Sequence, residues 1–309
     1  MRRTARPKAP SHWTYKSVML APIEPALSEA ASFLEATLDA LLPKPNGPED
    51  RLVEAMRYAA LGSGRRWRAF LVLQSGRLFG VDRRASGRVA AAVECLHAYA
   101  RVHDDLPAID DAQMRRGRKV LHKAFDEATA IWAGDSLLTF AFGLLASAEA
   151  HGDPYVRCEL ISKLVSASGY GGLAGGQAME LALSDTPPLP EITRLARMKT
   201  AALVTFCCES GAVMGKASAS ARGALAAYGQ ELGLAYQIAS NLLDSTDDLA
   251  DDQSGRGRAR PSIVSVMGSE RARAQVEALL SQAEKHLEAF DEKADLLRAA
   301  ARYAVQRKS

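Results

Sequence analysis

The chain has 309 residues, 48% of them hydrophobic and 24% charged, with a formal net charge of +3. That length allows two average domains or one large helical domain with a sizeable core. No uninterrupted apolar run reaches the ~18 residues of a spanning helix, which argues against an integral membrane protein. So small a charge gives no ground for a nucleic-acid partner, and Cys95, Cys158, Cys207 and Cys208, far apart or adjacent, form neither a disulfide framework nor a zinc pattern, which fits a reducing, cytoplasmic setting.

In chain order, the first segment is basic. Arg2, Arg3, Arg6, Lys8 and Lys16 precede the first acid, Glu24, and Pro7 and Pro10 deny the start a helical period. Residues 1–22 therefore read as a solvated tail, and no apolar stretch follows the arginines to make a secretory signal. Leu27, Ala31, Leu34, Leu38 and Leu41 then recur at spacings of three and four, one face of a helix over 25–41. The same periodicity predicts helices over 50–61, 86–105, 126–149, 155–169, 191–215, 219–244 and 269–290. Short proline- and glycine-rich breaks separate them at 43–48, 61–64 and 186–190, with a charged break from Asp251 to Pro261. No stretch alternates long enough for a sheet, and no repeat or linker divides the chain. The fold class is all-α, a single helical domain over 23–309.

The most informative segment runs from Glu94 to Asp111. An apolar helix leads into Asp104, Asp105, Pro107, Asp110 and Asp111, and Pro107 ends or kinks it. Carboxylates then crowd a helix end that already carries partial negative charge, an arrangement that asks for a cation. Mg²⁺ takes oxygen ligands and usually shares its shell with substrate phosphates. Arg115, Arg116, Arg118 and Lys119 follow at once, and carboxylate-held metal beside arginines is a way to hold a diphosphate. Upstream, Gly62-Ser-Gly-Arg-Arg-Trp-Arg68 places glycines before arginines, which lets backbone and guanidinium approach phosphate oxygens. Downstream, the glycines of Gly171-Gly-Leu-Ala-Gly-Gly176 interrupt a helical region, either for close helix packing or to leave room for a long ligand. His103 and His122 read as structural, Cys207 and Cys208 as core, and Trp132 and Phe140 as helix packing, with Phe140 a candidate for a cavity wall. Glu209, inside an apolar helix, requires a partner.

These pieces, in this order, resemble the trans-isoprenyl diphosphate synthases, the polyprenyl synthetase family. The first aspartate-rich motif of the bacterial farnesyl and geranylgeranyl type appears as Asp104-Asp-Leu-Pro-Ala-Ile-Asp110, followed by Arg115-Arg-Gly117. His122 to Leu138, Gly175-Gly-Gln-Ala-Met-Glu180, Lys199-Thr200 and Leu234-Ala-Tyr-Gln-Ile238 are also similar to the family. The resemblance implies an antiparallel helical bundle around a deep central cavity, the isoprenoid synthase fold, assembled as a homodimer. It implies Mg²⁺ held by Asp104, Asp105 and Asp110 against an allylic diphosphate, which Arg115 also contacts. Arg65, Arg66, Arg68, His97 and Arg116 would hold isopentenyl diphosphate, and Lys199, Thr200 and Gln237 would lie near the developing carbocation. Tyr99 and Ala100 stand at the family's chain-length positions and are similar to those of short-chain enzymes. Arg101 stands where the family commonly has an apolar residue.

The sequence departs from the family at the second aspartate-rich motif. Ser240 and Asn241 replace its first two aspartates and Asp244 alone remains a metal ligand. Loss of a ligand or its support often costs ~10–100-fold in metal affinity, so the third metal site is expected to be weak. Asp244, Asp248 and Asp251 could form a displaced cluster on one helix face. Arg256, Arg258 and Arg260 keep the positive charge of the downstream diphosphate-binding text, with Arg260 the named contact. The expected function is condensation of isopentenyl diphosphate with a short allylic diphosphate. The alternatives are a non-catalytic diphosphate-binding or regulatory subunit, in a heteromer with an active paralogue, and a terpene-synthase-like enzyme that ionises one allylic diphosphate.

Overall fold

The computed structural model describes residues 23–62, 64–247 and 261–306, with the side chains of 244–247 left out. The basic tail, Asp248, Asp251, Arg256, Arg258 and Arg260, and the side chain of Asp244, lie outside the described residues.

Helices account for nearly all of what is described. In chain order they are α1 (Ile23–Leu41), α2 (Asp50–Ala60), α3 (Trp67–Leu78), α4 (Arg83–Asp104), α5 (Leu121–Ala124), α6 (Glu127–Ala146) and α7 (Pro154–Ser168). Then follow α8 (Leu173–Ala182), α9 (Leu189–Ala196), α10 (Ala202–Met214), α11 (Ala219–Asp247), α12 (Ile263–Met267), α13 (Ser269–His286) and α14 (Asp295–Gln306). The fold class expected from the sequence is the one observed. A two-stranded hairpin, β1 (Met114–Arg115) with β2 (Arg118–Lys119), is a feature that the sequence reading did not anticipate.

α4 is the axis of the bundle. Its start is fixed by Asp82, whose carboxylate accepts from the backbone N–H groups of Arg84 and Ala85, at 2.9 and 3.1 Å. From Ser86 to Val102 most of its residues are buried, packed among α1, α2, α3, α6 and α10. α6 alone among the described residues is long and apolar enough to cross a membrane, with a mean hydropathy of 1.4. Here it lies against α2, α4, α5 and α7, and Ala133, Leu137, Ala141 and Leu145 are buried in the core.

Helix α3 was missed by periodicity because it has no polar face. Trp67, Ala69, Phe70, Leu71, Val72 and Leu73 are all buried, so no amphipathic stripe exists to detect. Trp67 stacks on Tyr236 of α11 at 4.9 Å, and its indole N–H donates to the Ala300 carbonyl of α14 at 3.3 Å. Glu209 finds its partner in Lys163, at 2.7 Å, and Cys207 and Cys208 are core. Trp132, expected to pack, instead points outward and is 64% exposed.

The span 191–215 is not one helix. Between α9 and α10 the chain takes a π-helical turn, Arg197–Ala201, which carries Lys199 and Thr200. Such a turn needs support from its neighbours. A Cβ on Gly176 of α8 would sit 2.5 Å from the Lys199 nitrogen, and one on Gly233 of α11 would sit 2.5 Å from the Ala201 Cα. Gly176, one of the glycines that interrupt the helical region in sequence, is therefore where α8 closes on the turn, and Gly233 is where α11 does.

Replacing Gly233 with Ala is expected to destabilise the protein by ~1–3 kcal/mol through overpacking. Gly223→Ala, in the same helix with open space around it, is expected to stabilise by ~0.5–1 kcal/mol. Thermal unfolding followed by circular dichroism compares the two, and opposite shifts of the midpoint are the expected result.

Candidate active site

Two adjacent aspartates at the end of α4 face different surroundings. Asp105 is 5% exposed and accepts from Arg115 at 2.9 Å from Nε and 2.6 Å from Nη2. Arg115 reaches it because the chain doubles back. Asp110 N–H donates to the Asp104 carbonyl at 3.0 Å and Ala112 N–H to the Asp105 carbonyl at 3.2 Å. The hairpin then turns at Arg116 and Gly117, both with positive φ (51° and 74°), the requirement of a tight two-residue β-turn. Asp104 instead accepts from Gln177 of α8. Burial, and the nearby carboxylates of Asp110 and Glu180, push its carboxyl up to about 6 against the pull of Lys199 and Arg115.

Asp104 joins a polar cluster at the π turn. Lys199 Nζ donates to Glu180 at 2.6 Å, and Thr200 Oγ1 donates to Gln237 Oε1 at 2.6 Å. Lys199, Thr200, Gln237 and Asp104 therefore come together, and Gln177 and Glu180 join them. Those two stand in a stretch that the sequence comparison singled out, but nothing in spacing alone showed that they reach across to α4 and the π turn.

Asp105 lines a cavity of about 880 Å³. Arg65, Arg66, Arg68, His97, Arg101, Arg115 and Arg116 share its wall, with Tyr236 and Ser240 from α11. Arg68 lies 3.4 Å from His97 Nε2 and 5.8 Å from the centre of the Tyr236 ring, and Arg65 stands over Tyr303. Burial, with Arg68, Arg101, Arg116 and Arg66 around it, holds His97 well below the usual imidazole range, so it is neutral at physiological pH.

Arg66 lines the same cavity, but its guanidinium is engaged within the protein. It donates to Glu35 of α1 at 2.6 and 3.0 Å and to Glu94 of α4 at 2.9 Å. Its backbone is left-handed (φ 46°), which turns the loop into α3 and lets the side chain reach back between those helices. Tyr99 and Ala100 are not part of the cavity wall. Tyr99 packs edge-on against His103, whose ring lies 3.7 Å from Asp135 of α6, and Ala100 is buried. Arg101, whose direction the sequence left open, faces the cavity. Burial and the charges of Arg115 and Arg116 lower its guanidinium to about 10, so it remains a cation.

Among the described residues no three metal-ligating side chains converge on a point. The donor set at Asp104 nevertheless fits a hard cation: it is all oxygen, and Asp104 feels the charge of both Asp110 and Glu180. On the α11 side, the neutral Ser240 stands at the cavity wall.

An acid cluster beside an arginine-lined cavity, at the end of a central helix in an all-helical bundle, defines the isoprenoid synthase class of fold. The polyprenyl synthetase family model matches residues 49–255. The farnesyl diphosphate synthase of Escherichia coli (strain K12) is 39% identical over 283 residues, 86% of this chain and 91% of that protein. The geranylgeranyl diphosphate synthase of Pantoea ananas is 33% identical over 267 residues, 85% of this chain and 87% of that protein. The apo crystal structure of an FPP/GFPP synthase from Zymomonas mobilis superposes with a TM-score of 0.84 at 45% identity, covering 92% of this chain and 98% of that one. The chain belongs to the polyprenyl synthetase family.

Glu94 and Arg66 form a largely buried pair, with 6% and 10% side-chain exposure. Glu94→Gln is expected to cost ~1–3 kcal/mol, because it leaves part of a buried guanidinium without its charge partner. Glu29→Gln, which breaks an exposed pair with Arg83, is expected to cost less than ~1 kcal/mol. Urea unfolding midpoints measure both.

Proposed function

We propose that the protein is a Mg²⁺-dependent short-chain prenyltransferase that condenses isopentenyl diphosphate with a short allylic diphosphate. The observation that carries this reading is the split at the end of α4, where Asp104 faces an acidic cluster and Asp105 an arginine-lined cavity. Asp104 and Asp110 are the metal donors in this reading, while Asp105 anchors Arg115 against the allylic diphosphate. Asp104 and Asp110 would hold Mg²⁺, which would supply positive charge to offset the negative charge of the departing diphosphate. Arg65, Arg68, Arg116 and the neutral His97 hold the diphosphate of isopentenyl diphosphate, and Arg66 keeps their loop in place. Lys199, Thr200 and Gln237 face the cationic carbon, and Tyr99, on the Asp104 side of α4 and outside the arginine-lined cavity, sets product length with the small Ala100 near fifteen to twenty carbons in this reading. Relatives named farnesyl and geranylgeranyl diphosphate synthase support that range. Asp244 and Arg260 complete the site in this reading, as remaining metal donor and diphosphate contact.

The assembly is a homodimer. α6 and α7, which pack together, leave Trp132, Tyr155 and Val165 exposed at 64%, 84% and 51%, apolar side chains that a second copy would cover. The setting is cytoplasmic.

Purified protein with Mg²⁺, labelled isopentenyl diphosphate and dimethylallyl, geranyl or farnesyl diphosphate is expected to give elongated products, resolved by mass. Asp104→Asn is expected to lower turnover by at least ~100-fold. The Ser240→Asp, Asn241→Asp double variant is expected to saturate at lower Mg²⁺ than the natural chain. A hydrocarbon or alcohol from one allylic diphosphate, or binding with no product at all, would overturn the reading. Trp132→Glu is expected to shift the protein from dimer to monomer in light scattering coupled to size exclusion.

A further inference from the structure

The cavity holds more positive charge than its own carboxylates neutralise. Asp105 is bound by Arg115 and Glu94 by Arg66. Arg101 is left over. It lies one helical turn after His97 and one turn before Asp105, so the three share a face of α4 and all line the cavity. Its Nε is buried with no hydrogen-bond partner. The Nε of Arg68, on the same wall, is also buried and unpaired. An arginine does not relieve such burial by losing its proton, and an unpaired buried cation is costly. Arg115 and Arg116 add repulsion to that cost, offset in part by the charges of Asp105 and Glu94. An anion with several oxygens satisfies the arrangement, since a guanidinium presents a planar fork of donors.

We propose that Arg101 is a direct ligand of the substrate diphosphate bound in this cavity, beside Arg68 and Arg116. It supplies a fixed cation in a site whose α11 wall presents the neutral Ser240 to the cavity. The inference rests on the prenyltransferase reading and adds a contact specific to this chain.

The test is titration calorimetry of the full chain with inorganic diphosphate and with isopentenyl diphosphate, in EDTA, alongside thermal unfolding without ligand. Arg101→Leu is expected to weaken binding of both by ~10–100-fold, the worth of a charge-assisted contact. It is also expected to flatten the dependence on NaCl, and to leave the ligand-free melting temperature unchanged or higher, because the unpaired cation is gone. Arg101→Lys keeps the charge but loses the fork, and is expected to bind several-fold more weakly than the natural chain. That variant decides the matter if Arg101→Leu does not fold. Affinity within twofold of the natural chain in the variants overturns the proposal, and continued elongation by Arg101→Leu would then leave the prenyltransferase reading standing. Weaker binding matched by a lower ligand-free melting temperature also overturns it, as the mark of a structural role. Absence of diphosphate binding by the natural chain in EDTA overturns the proposal, and elongation by the natural chain with Mg²⁺ decides the prenyltransferase reading separately.

Discussion

The C-terminal end of α4 concentrates negative potential where the chain also places Asp104 and Asp105, and the site is arranged around relieving that crowding. Asp105 is relieved from within, by Arg115 brought back on a hairpin whose positive-φ turn sets its reach. Asp104 is relieved only in part, by Gln177, and stays close to Asp110 and Glu180. One aspartate is thus paired within the protein and its neighbour stands among other carboxylates. They differ because successive residues at a helix end project in different directions.

A second constraint is steric. The π turn that presents Lys199 and Thr200 is gripped by α8 through Gly176 and by α11 through Gly233, at distances that leave no space for a Cβ. The same approach brings Gln237 within hydrogen-bond range of Thr200, and Glu180 within range of Lys199. Backbone packing and site geometry are therefore one feature. Loosening the helices would separate the polar groups before it exposed much core.

The two walls of the site are unequal. The α4 wall keeps the aspartates and arginines that a diphosphate and a metal ask for. The α11 wall presents the neutral Ser240 to the cavity. Arg101 adds a cation on the first wall at the level of Asp105, and Arg66 holds the cationic loop against Glu35 and Glu94. The result is a cavity wall richer in fixed guanidinium groups than in carboxylates among the described residues.

Several of these features were legible in the residues alone. Leucines at helical spacing marked α1, and Asp104-Asp-Leu-Pro-Ala-Ile-Asp110 with Arg115-Arg-Gly117 marked the family and the chemistry. Local sequence sets both of these, through periodicity and through a contiguous motif. α3 was hidden because burial on every side erases the period. Arg101 could be seen as unusual, but its direction depends on the helices around α4. The same holds for Arg66, which a motif places among diphosphate-binding groups and the fold ties to Glu35 and Glu94. The π turn looked like ordinary helix, since its extra residue is stabilised by glycines in two other helices. Sequence by itself determined the all-helical class, the family and the list of charged groups. Tertiary structure decided which of those charges neutralise one another and which remain for a ligand, because that depends on distances between residues far apart in the chain.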